Sequence, residues 1–349
     1  MDSPLRENNI GIATVTSHLY QNGGLMRVAA IDVGTNTVRL LIADYAGGKN
    51  FTPVFRKEII TRLGEGFSSR GVLSPEAMDR TLGALRDLKK PIVERKTNKI
   101  IAVATSVVRD AHNGKDFIDN VREQTGIEIT LISGETEAKL ACRGAVLPVD
   151  CKYDQAFIFD IGGGSTEFIL TQKTEVLRVE SIDLGVVHLT EKYLHHDPPQ
   201  EEELATIAKI ITTKIQKVRK QFQAASLYPF SCDHRTILIG IAGTPTTLAA
   251  LDLQLAQYDR GKVTNHLVEI KRIREIFQEL IVKTAAERLS LPGLQKGRED
   301  LIIPGILITM GVMEVFEFSV LRVIDSGILE GLVLSYSSPG ASIPCFSRR

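Results

Sequence analysis

The sequence predicts a mixed α/β fold in which two domains of similar design face each other across a cleft. Two stretches, IDVGTNTVRLLIA (31–43) and FDIGGGSTEFIL (159–170), share an aspartate, a glycine turn with hydroxyl residues, and a returning strand. Each is followed by a buried strand that ends in a small or hydroxyl turn, VATSVVRD (103–110) and GIAGTPTTLA (240–249). The two signatures lie 128 residues apart, so the repeat has the size of a domain.

The first half of the chain begins with strands. Alternating apolar residues predict a strand, a tight turn and a returning strand over residues 27–45, and a third strand over 49–63. Ser74 and Pro75 are typical of a helix start, and the amphipathic pattern behind them predicts a helix over 74–96. The later elements are predicted to be a strand that leads into a loop over 99–110, a helix over 115–126, a strand over 127–133 and a helix over 135–146.

The same order of elements begins again at residue 155. The pattern predicts a strand, turn and strand over 155–172, a third strand over 174–185 and a long amphipathic helix over 201–222. A strand that opens a helix is predicted over 236–253, two further helices over about 270–285 and about 300–316, and a short strand with a closing helix over 322–336. The apolar run 301–313 is shorter than the roughly 20 residues that span a membrane, so it is predicted to be a buried helix.

These elements divide the chain into an N-terminal domain over 27–150 and a C-terminal domain over 151–324. The closing helix, 325–337, is expected to pack back on the N-terminal domain. Residues 1–25 lack periodicity and are rich in polar residues, so we expect a disordered extension there, and Met26 is a candidate start of the protein. Two such domains create a cleft, where ligands usually bind.

The composition argues against some classes of function. Lysine plus arginine and aspartate plus glutamate each total 42, so no net field marks the chain as a binder of nucleic-acid polymers or membranes. The four cysteines are scattered, without zinc-site spacing, which predicts reduced thiols and a cytoplasmic protein.

The glycine turn DIGGGST is the first candidate site. It matches neither a P-loop nor a dinucleotide fingerprint, yet consecutive glycines let backbone N–H groups converge on an oxyanion, and Ser165 adds a hydroxyl donor. Asp160 offers the hard oxygen that Mg²⁺ prefers, with Glu167 as a supporting acid. The alternative is a glycine hairpin without a ligand.

The matching turn, DVGTNT, would form the opposite lip of the cleft. Its uncharged donors include Asn36, and Asp32 is a candidate second acid near the metal. Arg39 faces either the cleft or the solvent. An Asx-rich hairpin turn with no ligand remains the alternative.

Two further stretches carry charged candidates. Arg109 follows a buried strand and suits bidentate recognition of phosphate, although a solvated loop charge is the alternative. Glu135 and Glu137 fall in the first turn of a helix, where capping acids are expected; a carboxylate that deprotonates a water for attack on phosphorus is the functional interpretation. The pair His195 and His196 suggests a metal site, but a polar surface loop is the simpler interpretation, as is a solvated face for the lysines of the 201–222 helix.

The motifs, taken in order, resemble the exopolyphosphatase/guanosine pentaphosphate phosphohydrolase (Ppx/GppA) family, within the actin/Hsp70/sugar-kinase superfamily. The resemblance spans nearly all of residues 27–336 and rests on AAIDVGTNTVRLLIA, ATSVVRDAHN, ISGETEA, FIFDIGGGSTE, LGVVHLTEKYL, GIAGTPTTLAAL, GREDLIIPGILI and DSGILEGL. It implies two duplicated ribonuclease-H-like domains around an interdomain cleft.

The resemblance also implies roles for single residues. Glu137 would be the catalytic base, and Asp160 with Glu167 would hold Mg²⁺. The phosphate-binding residues would be Asn36, Arg109, Gly162, Gly163, Gly164, Ser165, Gly243 and Thr244. The chain departs from the family pattern at Thr136, His188 and Leu329, where the family usually has Glu, Arg and Arg.

The implied activity is Mg²⁺-dependent release of a terminal phosphate from polyphosphate or guanosine pentaphosphate. The absence of the extra C-terminal domain found in longer members suggests the short two-domain type, and a homodimer is an expected partner state. Two other functions stay open: a phosphotransferase of the same superfamily, and a non-catalytic sensor that binds an alarmone in the cleft.

Overall fold

The computed structural model describes residues 25–48, 50–228, 230 and 235–336, which form two β-sheets with helices on their faces. The first sheet has five strands, in the order β3-β2-β1-β4-β5. Strand β2 pairs antiparallel with β1 and β3, whereas β4 pairs parallel with β1 and β5. The strands are β1 (Met26–Val33), β2 (Thr37–Gly47), β3 (Asn50–Ile60), β4 (Lys99–Ala104) and β5 (Ile129–Leu131). The helices of this part are α1 (Phe67–Arg70), α2 (Pro75–Glu94), α3 (Ser106–Asp110), α4 (Gly114–Thr125) and α5 (Gly134–Ala145).

The second sheet repeats this order and adds one edge strand, giving β10-β11-β9-β6-β7-β8. Its strands are β6 (Gln155–Ile161), β7 (Thr166–Gln172), β8 (Glu175–Ile182), β9 (Thr236–Ile241), β10 (Leu267–Glu269) and β11 (Val320–Val323). The helices are α6 (Val186–Tyr193), α7 (Glu201–Ala224), α8 (Gly243–Asp252), α9 (Arg260–Val263), α10 (Ile270–Ile281), α11 (Ala285–Arg288), α12 (Ile302–Val315) and α13 (Ile328–Ser335). The repeated order confirms the prediction of two duplicated ribonuclease-H-like domains.

Local signals explain several element boundaries. The Ser74 hydroxyl accepts a hydrogen bond from the Ala77 amide at 3.2 Å, and Pro75 occupies the first helical turn, so α2 begins where the sequence predicts. Ser133 caps α5 in the same way, accepting from the Thr136 amide at 3.2 Å. The apolar run 301–313 forms α12, which is buried in the core as predicted. No helix within the described ranges is long and apolar enough to cross a membrane.

Other elements differ from the predictions. The segment after β4 is not a loop but the short helix α3. Helix α6 was not predicted, because its start depends on the tertiary structure: the amides of Val186 and Val187 donate to the carbonyl oxygens of Gly162 and Gly163, at 3.1 and 2.9 Å. A hairpin turn distant in sequence therefore fixes where this helix begins.

Three apolar cores stabilise the part of the chain that the structure describes. One lies against the outer face of the first sheet, with α2 and α4, and another lies against the outer face of the second sheet, with α7 and α12. The third contains residues from both sheets together with α5 and α13, so these two helices lie between the sheets. The two domains thus share a buried layer, which fixes the position of α5 relative to the second sheet.

Buried charge anchors α13 to both halves. Glu330 is almost fully buried, and its Oε1 accepts from Arg56 on β3 at 2.6 Å and from Arg260 on α9 at 2.7 Å. Its Oε2 accepts from the amide of Gly327 at 2.8 Å. Burial alone would raise the pKa of Glu330, but the two guanidinium groups and the amide outweigh it and lower the pKa. Glu330 is therefore ionised at neutral pH.

The described cysteines, Cys142 and Cys151, are free thiols, as predicted. Cys232 and Cys345 lie outside the described residues, and so do residues 1–24 of the extension predicted over 1–25.

Candidate active site

The glycine turn lies between β6 and β7 and faces a cleft between the two sheets. The Gly162 amide donates to the Ser165 carbonyl at 2.9 Å, which closes the turn. A Cβ on Gly163 would stand 2.7 Å from the Cβ of Thr35, so only glycine lets the turn approach the first domain this closely. The two glycine-containing turns therefore meet as opposite lips of one cleft.

On the first lip, Asp32 and Arg39 are neighbours across the β1–β2 pair. The guanidinium of Arg39 donates from Nε and Nη2 to Oδ2 of Asp32, at 3.0 and 2.5 Å. Arg39 lines the cleft, which settles the open question of which way it faces. The other oxygen of Asp32, Oδ1, is buried and has no hydrogen-bond partner among the described residues.

The two acids at the start of α5 have different surroundings. Glu135 is exposed and forms an ion pair with Lys139 at 2.6 Å. Glu137 lines the cleft instead, and its Oε2 is buried with no hydrogen-bond partner in the described part of the chain. Burial, together with the nearby carboxylates of Glu167, Asp32 and Asp160, raises the pKa of Glu137 well above its usual range. A surface ion pair accounts for Glu135 but not for Glu137.

Two more acids come from the second hairpin, where Asp160 and Glu167 are cross-strand partners. Burial raises the pKa of Asp160 to about 6, and Asp32 adds to this effect. Glu167 is buried, and its Oε1 accepts from the hydroxyls of Ser165 and Ser181, each at 2.8 Å. Burial and the charge of Asp160 raise its pKa to about 7. Carboxylates from both domains are thus crowded around one point, where they disfavour each other's ionised forms.

This donor set fits a hard divalent cation. Within the described residues no group of three or more Asp, Glu, His or Cys side chains is arranged to hold a metal alone. Mg²⁺ usually takes one or two carboxylates and completes its shell with water and phosphate oxygens. The unpartnered Oδ1 of Asp32 and Oε2 of Glu137, close to Asp160, are hard oxygens of the kind Mg²⁺ requires.

The cleft brings together most of the residues predicted for the site. Its lining contains Asn36, Glu137, Asp160, Gly162, Gly163, Ser165, Gly243 and Thr244. The residues that do not line it are Arg109, Gly164 and Glu167.

Arg109 lies behind the cleft. Its Nη1 donates to the carbonyl oxygen of Ile132 at 3.1 Å, and its Nε is 3.3 Å from a carboxylate oxygen of Asp110. Its charge lowers the pKa of Glu137 and Glu167, against the larger effect of burial. In this arrangement the charge of Arg109 affects the pKa of two acids of the site. A contact between Arg109 and phosphate stays a prediction.

Several cleft residues were missed at the sequence level. Arg298 covers Gly243 at the start of α8 and donates to Glu58 of β3 at 2.7 Å. Ser106, at the start of α3, lies 3.1 Å from the Thr35 hydroxyl, Oγ to Oγ1. The motifs GREDLIIPGILI and ATSVVRDAHN contain Arg298 and Ser106, so both could have been proposed from them.

The histidine pair has a structural explanation. His196 is exposed, and its Nδ1 lies 3.0 Å from Oε1 of Glu203 near the start of α7. The same carboxylate accepts from the His195 amide at 2.8 Å. These contacts organise a surface loop, in agreement with the simpler of the two interpretations.

The three positions that depart from the family pattern do not line the cleft. Thr136 replaces an acid and bonds to the Ser133 hydroxyl at 3.0 Å, so it extends the cap of α5. Leu329 is buried in α13 beside the pair formed by Arg56 and Glu330. His188 lies next to the glycine turn.

Comparisons with known proteins agree with this architecture. Residues 41–338 match the Ppx/GppA phosphatase family. The chain is 33% identical over 323 residues to Exopolyphosphatase 2 of Mycobacterium tuberculosis, covering 89% of this chain and 98% of that protein. It is 26% identical over 309 residues to Exopolyphosphatase 1 of Mycobacterium bovis, covering 88% of each.

Solved structures give the same result. An exopolyphosphatase from Cytophaga hutchinsonii superposes with a TM-score of 0.82 at 27% identity, covering 91% of this chain and 99% of that one. The Ppx/GppA family member from Aquifex aeolicus superposes with a TM-score of 0.74 at 30% identity, covering 90% and 98%. The match extends over both domains and the cleft between them, and the chain therefore belongs to the Ppx/GppA phosphatase family.

Proposed function

We propose that this protein hydrolyses the terminal phosphoanhydride bond of inorganic polyphosphate and releases orthophosphate. The observation that carries the proposal is the position of Glu137: a buried, unpartnered carboxylate oxygen that lines the same cleft as the glycine turn. The similarity to proteins named exopolyphosphatases supports polyphosphate as the substrate. The proposal extends to guanosine pentaphosphate, because its terminal phosphoanhydride presents the same reacting groups.

In the proposed mechanism the glycine turn binds the terminal phosphate. The Gly162 amide closes the turn, so the backbone amides of Gly163 and Gly164 donate to the phosphate oxygens. The Ser165 hydroxyl turns from Glu167 to add a third hydrogen bond, and Asn36 contacts the phosphate from the opposite lip. Positioning of this kind supplies much of the acceleration in phosphoryl transfer, since little covalent chemistry is left to the protein. Arg39 and Arg298 are the guanidinium groups of the cleft, and they suit the phosphates that follow along the chain.

Glu137 is the proposed general base. Its carboxylate accepts a proton from a water as the oxygen of that water bonds to phosphorus, and the bond to the remaining phosphate chain breaks on the opposite side. A pKa raised above the usual carboxylate range makes Glu137 a stronger base. Burial and the neighbouring acids raise the pKa of Glu137, whereas the charge of Arg109 lowers it.

Mg²⁺ is the proposed cofactor, with Asp160 as its main ligand and Glu167 as a supporting acid. When bound, it would neutralise charge on the phosphoryl oxygens and on the acids around it. Removal of Mg²⁺ by a chelator should therefore abolish phosphate release.

One experiment tests substrate and reaction together. Phosphate release is measured with Mg²⁺ on long polyphosphate, tripolyphosphate, guanosine pentaphosphate and ATP in parallel. We expect release from polyphosphate, with transfer to water. Labelled phosphate that passes from ATP to an acceptor would indicate a phosphotransferase, and tight binding without release of phosphate would indicate a sensor; either result would overturn the proposal.

A further inference from the structure

A second recess lies behind the glycine turn, on the side away from the catalytic cleft. It has a cavity volume of about 350 Å³ and is bounded by Phe67 and Gly71 of the first domain and by α6 and α7 of the second. Gly185 separates it from the turn and packs directly against the Gly163 carbonyl. None of the residues assigned to the proposed reaction lines this recess.

The floor of the recess is apolar and partly aromatic. It is formed by Phe67, Leu184, Leu189, Tyr193 and Ile210. Leu184 and Leu189 are buried, whereas the other three side chains are partly open to the recess. A floor of this composition suits the flat, apolar face of a base or a similar ring.

The rim of the recess is basic. Lys192 is exposed, and its ammonium group lies 5.5 Å from the ring centroid of Tyr193, with no carboxylate within ion-pair distance in the described structure. Lys214 donates to the main-chain carbonyl of Asp183, so the hydrogen bond leaves its positive charge uncompensated. One acid, Asp183, also lines the recess, against two lysines. The rim therefore suits an anionic group.

His188 forms the wall between this recess and the glycine turn. Its ring stacks on Phe67, with 6.0 Å between ring centroids, so it joins α6 to α1 of the other domain. Its Cε1 is 3.3 Å from where a Cβ on Gly164 would stand. Its Nε2 is buried without a hydrogen-bond partner among the described residues. The imidazole ring of His188 thus contacts both the recess and the glycine turn.

We propose that this recess is a second ligand site that binds a nucleoside monophosphate, with the base on the apolar floor and the phosphate between Lys192 and Lys214. This class of ligand follows from the combination of an apolar floor with a basic rim. An apolar floor alone would suit a neutral ring, and two lysines alone would suit orthophosphate. A ligand there contacts both domains and His188.

Titration calorimetry with AMP tests the site. We expect saturable binding at one site by the wild-type protein, and weaker binding of adenosine and of orthophosphate, each of which satisfies only half of the recess. Lys192→Gln together with Lys214→Gln should weaken AMP binding at least about tenfold, because both cations that face the phosphate are lost. Phe67→Leu should weaken AMP and adenosine alike while leaving orthophosphate binding unchanged.

The matched control is Lys209→Gln with Lys217→Gln, two exposed lysines of α7, the helix that carries Lys214; neither lines the recess. These changes should leave AMP binding as in the wild type. Equal AMP affinity in both double variants would overturn the proposal, as would orthophosphate binding as tightly as AMP, or no saturable binding at all. Binding is measured without turnover, so this result is independent of whether polyphosphate is the substrate.

Discussion

The carboxylates of Glu135 and Glu137 lie two residues apart on one helix, yet they have opposite environments. Glu135 forms an ion pair with Lys139 at the surface, whereas Glu137 has an unpartnered, buried oxygen in the cleft. Both are glutamates in the first turn of α5, so the difference comes from the direction in which the helix presents each side chain.

Glu137→Gln should lower the rate of phosphate release by about 100-fold to 10,000-fold, because the amide cannot accept the proton of the attacking water. Polyphosphate binding, measured at equilibrium, should change only a few-fold. Glu135→Gln is the matched control and should keep the wild-type rate, since its carboxylate faces solvent. Turnover of the Glu137 variant within about tenfold of the wild type would contradict the assignment of the base.

The ionisation of Asp160 makes the stability of the fold depend on pH. Its pKa is raised to about 6, so the folded protein holds this proton more tightly than the unfolded chain does. The group therefore stabilises the fold below the unfolded pKa of about 4, and this contribution is lost as pH rises through about 6. At neutral pH the ionised Asp160 no longer contributes this stabilisation.

Asp160→Asn should remove this dependence. Without Mg²⁺ at pH 8, the free energy of unfolding of the variant should exceed that of the wild type by about 1–3 kcal/mol, and its unfolding temperature should be higher. At pH 4 the difference should be smaller. Thermal unfolding at the two pH values measures the effect. A difference that does not grow with pH would show that the Asp160 charge is not the cause.

At the scale of elements, the strand–turn–strand units determine the shape of the site. The alternation of apolar residues in β1, β2, β6 and β7, with glycines between them, made both hairpins predictable. Segments whose structure depends on distant partners were not predictable. Helix α6 starts on carbonyls of the glycine turn, and Arg298 reaches the cleft from a segment with no regular pattern of its own.

Gly163→Ala tests how closely the two lips must approach. Its Cβ would lie 2.7 Å from Cβ and 2.9 Å from Cγ2 of Thr35, and 3.1 Å from Cγ2 of Val187, so one lip must move. We expect a loss of about 1–3 kcal/mol in stability and a fall of at least about tenfold in kcat/KM, a factor that corresponds to 1.36 kcal/mol in the activation free energy.

The control for this change is Gly83→Ala. Gly83 lies inside α2, and a Cβ there would meet nothing within 4 Å. This substitution should stabilise the protein by about 0.5–1 kcal/mol and leave turnover unchanged. If both alanine variants kept full activity, the close approach of the two lips would not be required for the reaction.

At the scale of the whole molecule, one short segment connects the domains across the cleft. Asp300 pairs with Arg62 at 2.6 and 3.1 Å, and Arg298 pairs with Glu58 at 2.7 Å. Between these pairs, Gly297 packs against Ile60. The segment and the end of β3 therefore hold the two lips in the arrangement described above.

Reversing one charge should open the cleft. Arg62→Asp places two carboxylates together, so we expect a larger radius of gyration by small-angle scattering and a KM raised several-fold. The loss of stability should stay below about 1 kcal/mol, because both side chains are about one-third exposed. Adding Asp300→Arg should restore both quantities. An unchanged radius and KM in the single variant would mean that the pair does not control closure.

Much of the whole-molecule arrangement was also visible in the sequence, because the second half repeats the first. The repeat predicted two domains and a cleft, but it could not give the pairs across that cleft. Arg62 and Asp300 are 238 residues apart, and neither lies in a repeated motif. Contacts between domains depend on how two finished surfaces meet, and a local pattern does not encode that.

Helix α13 follows the last strand of the second sheet, yet it packs against α5 and against β1 and β2 at the beginning of the fold. During synthesis the ribosome releases those early strands long before α13 exists. The N-terminal domain must therefore wait, with an apolar face uncovered, until almost the whole described chain has emerged. A premature stop before residue 328 would therefore leave that face uncovered, and it would affect the first domain to be made as well as the last.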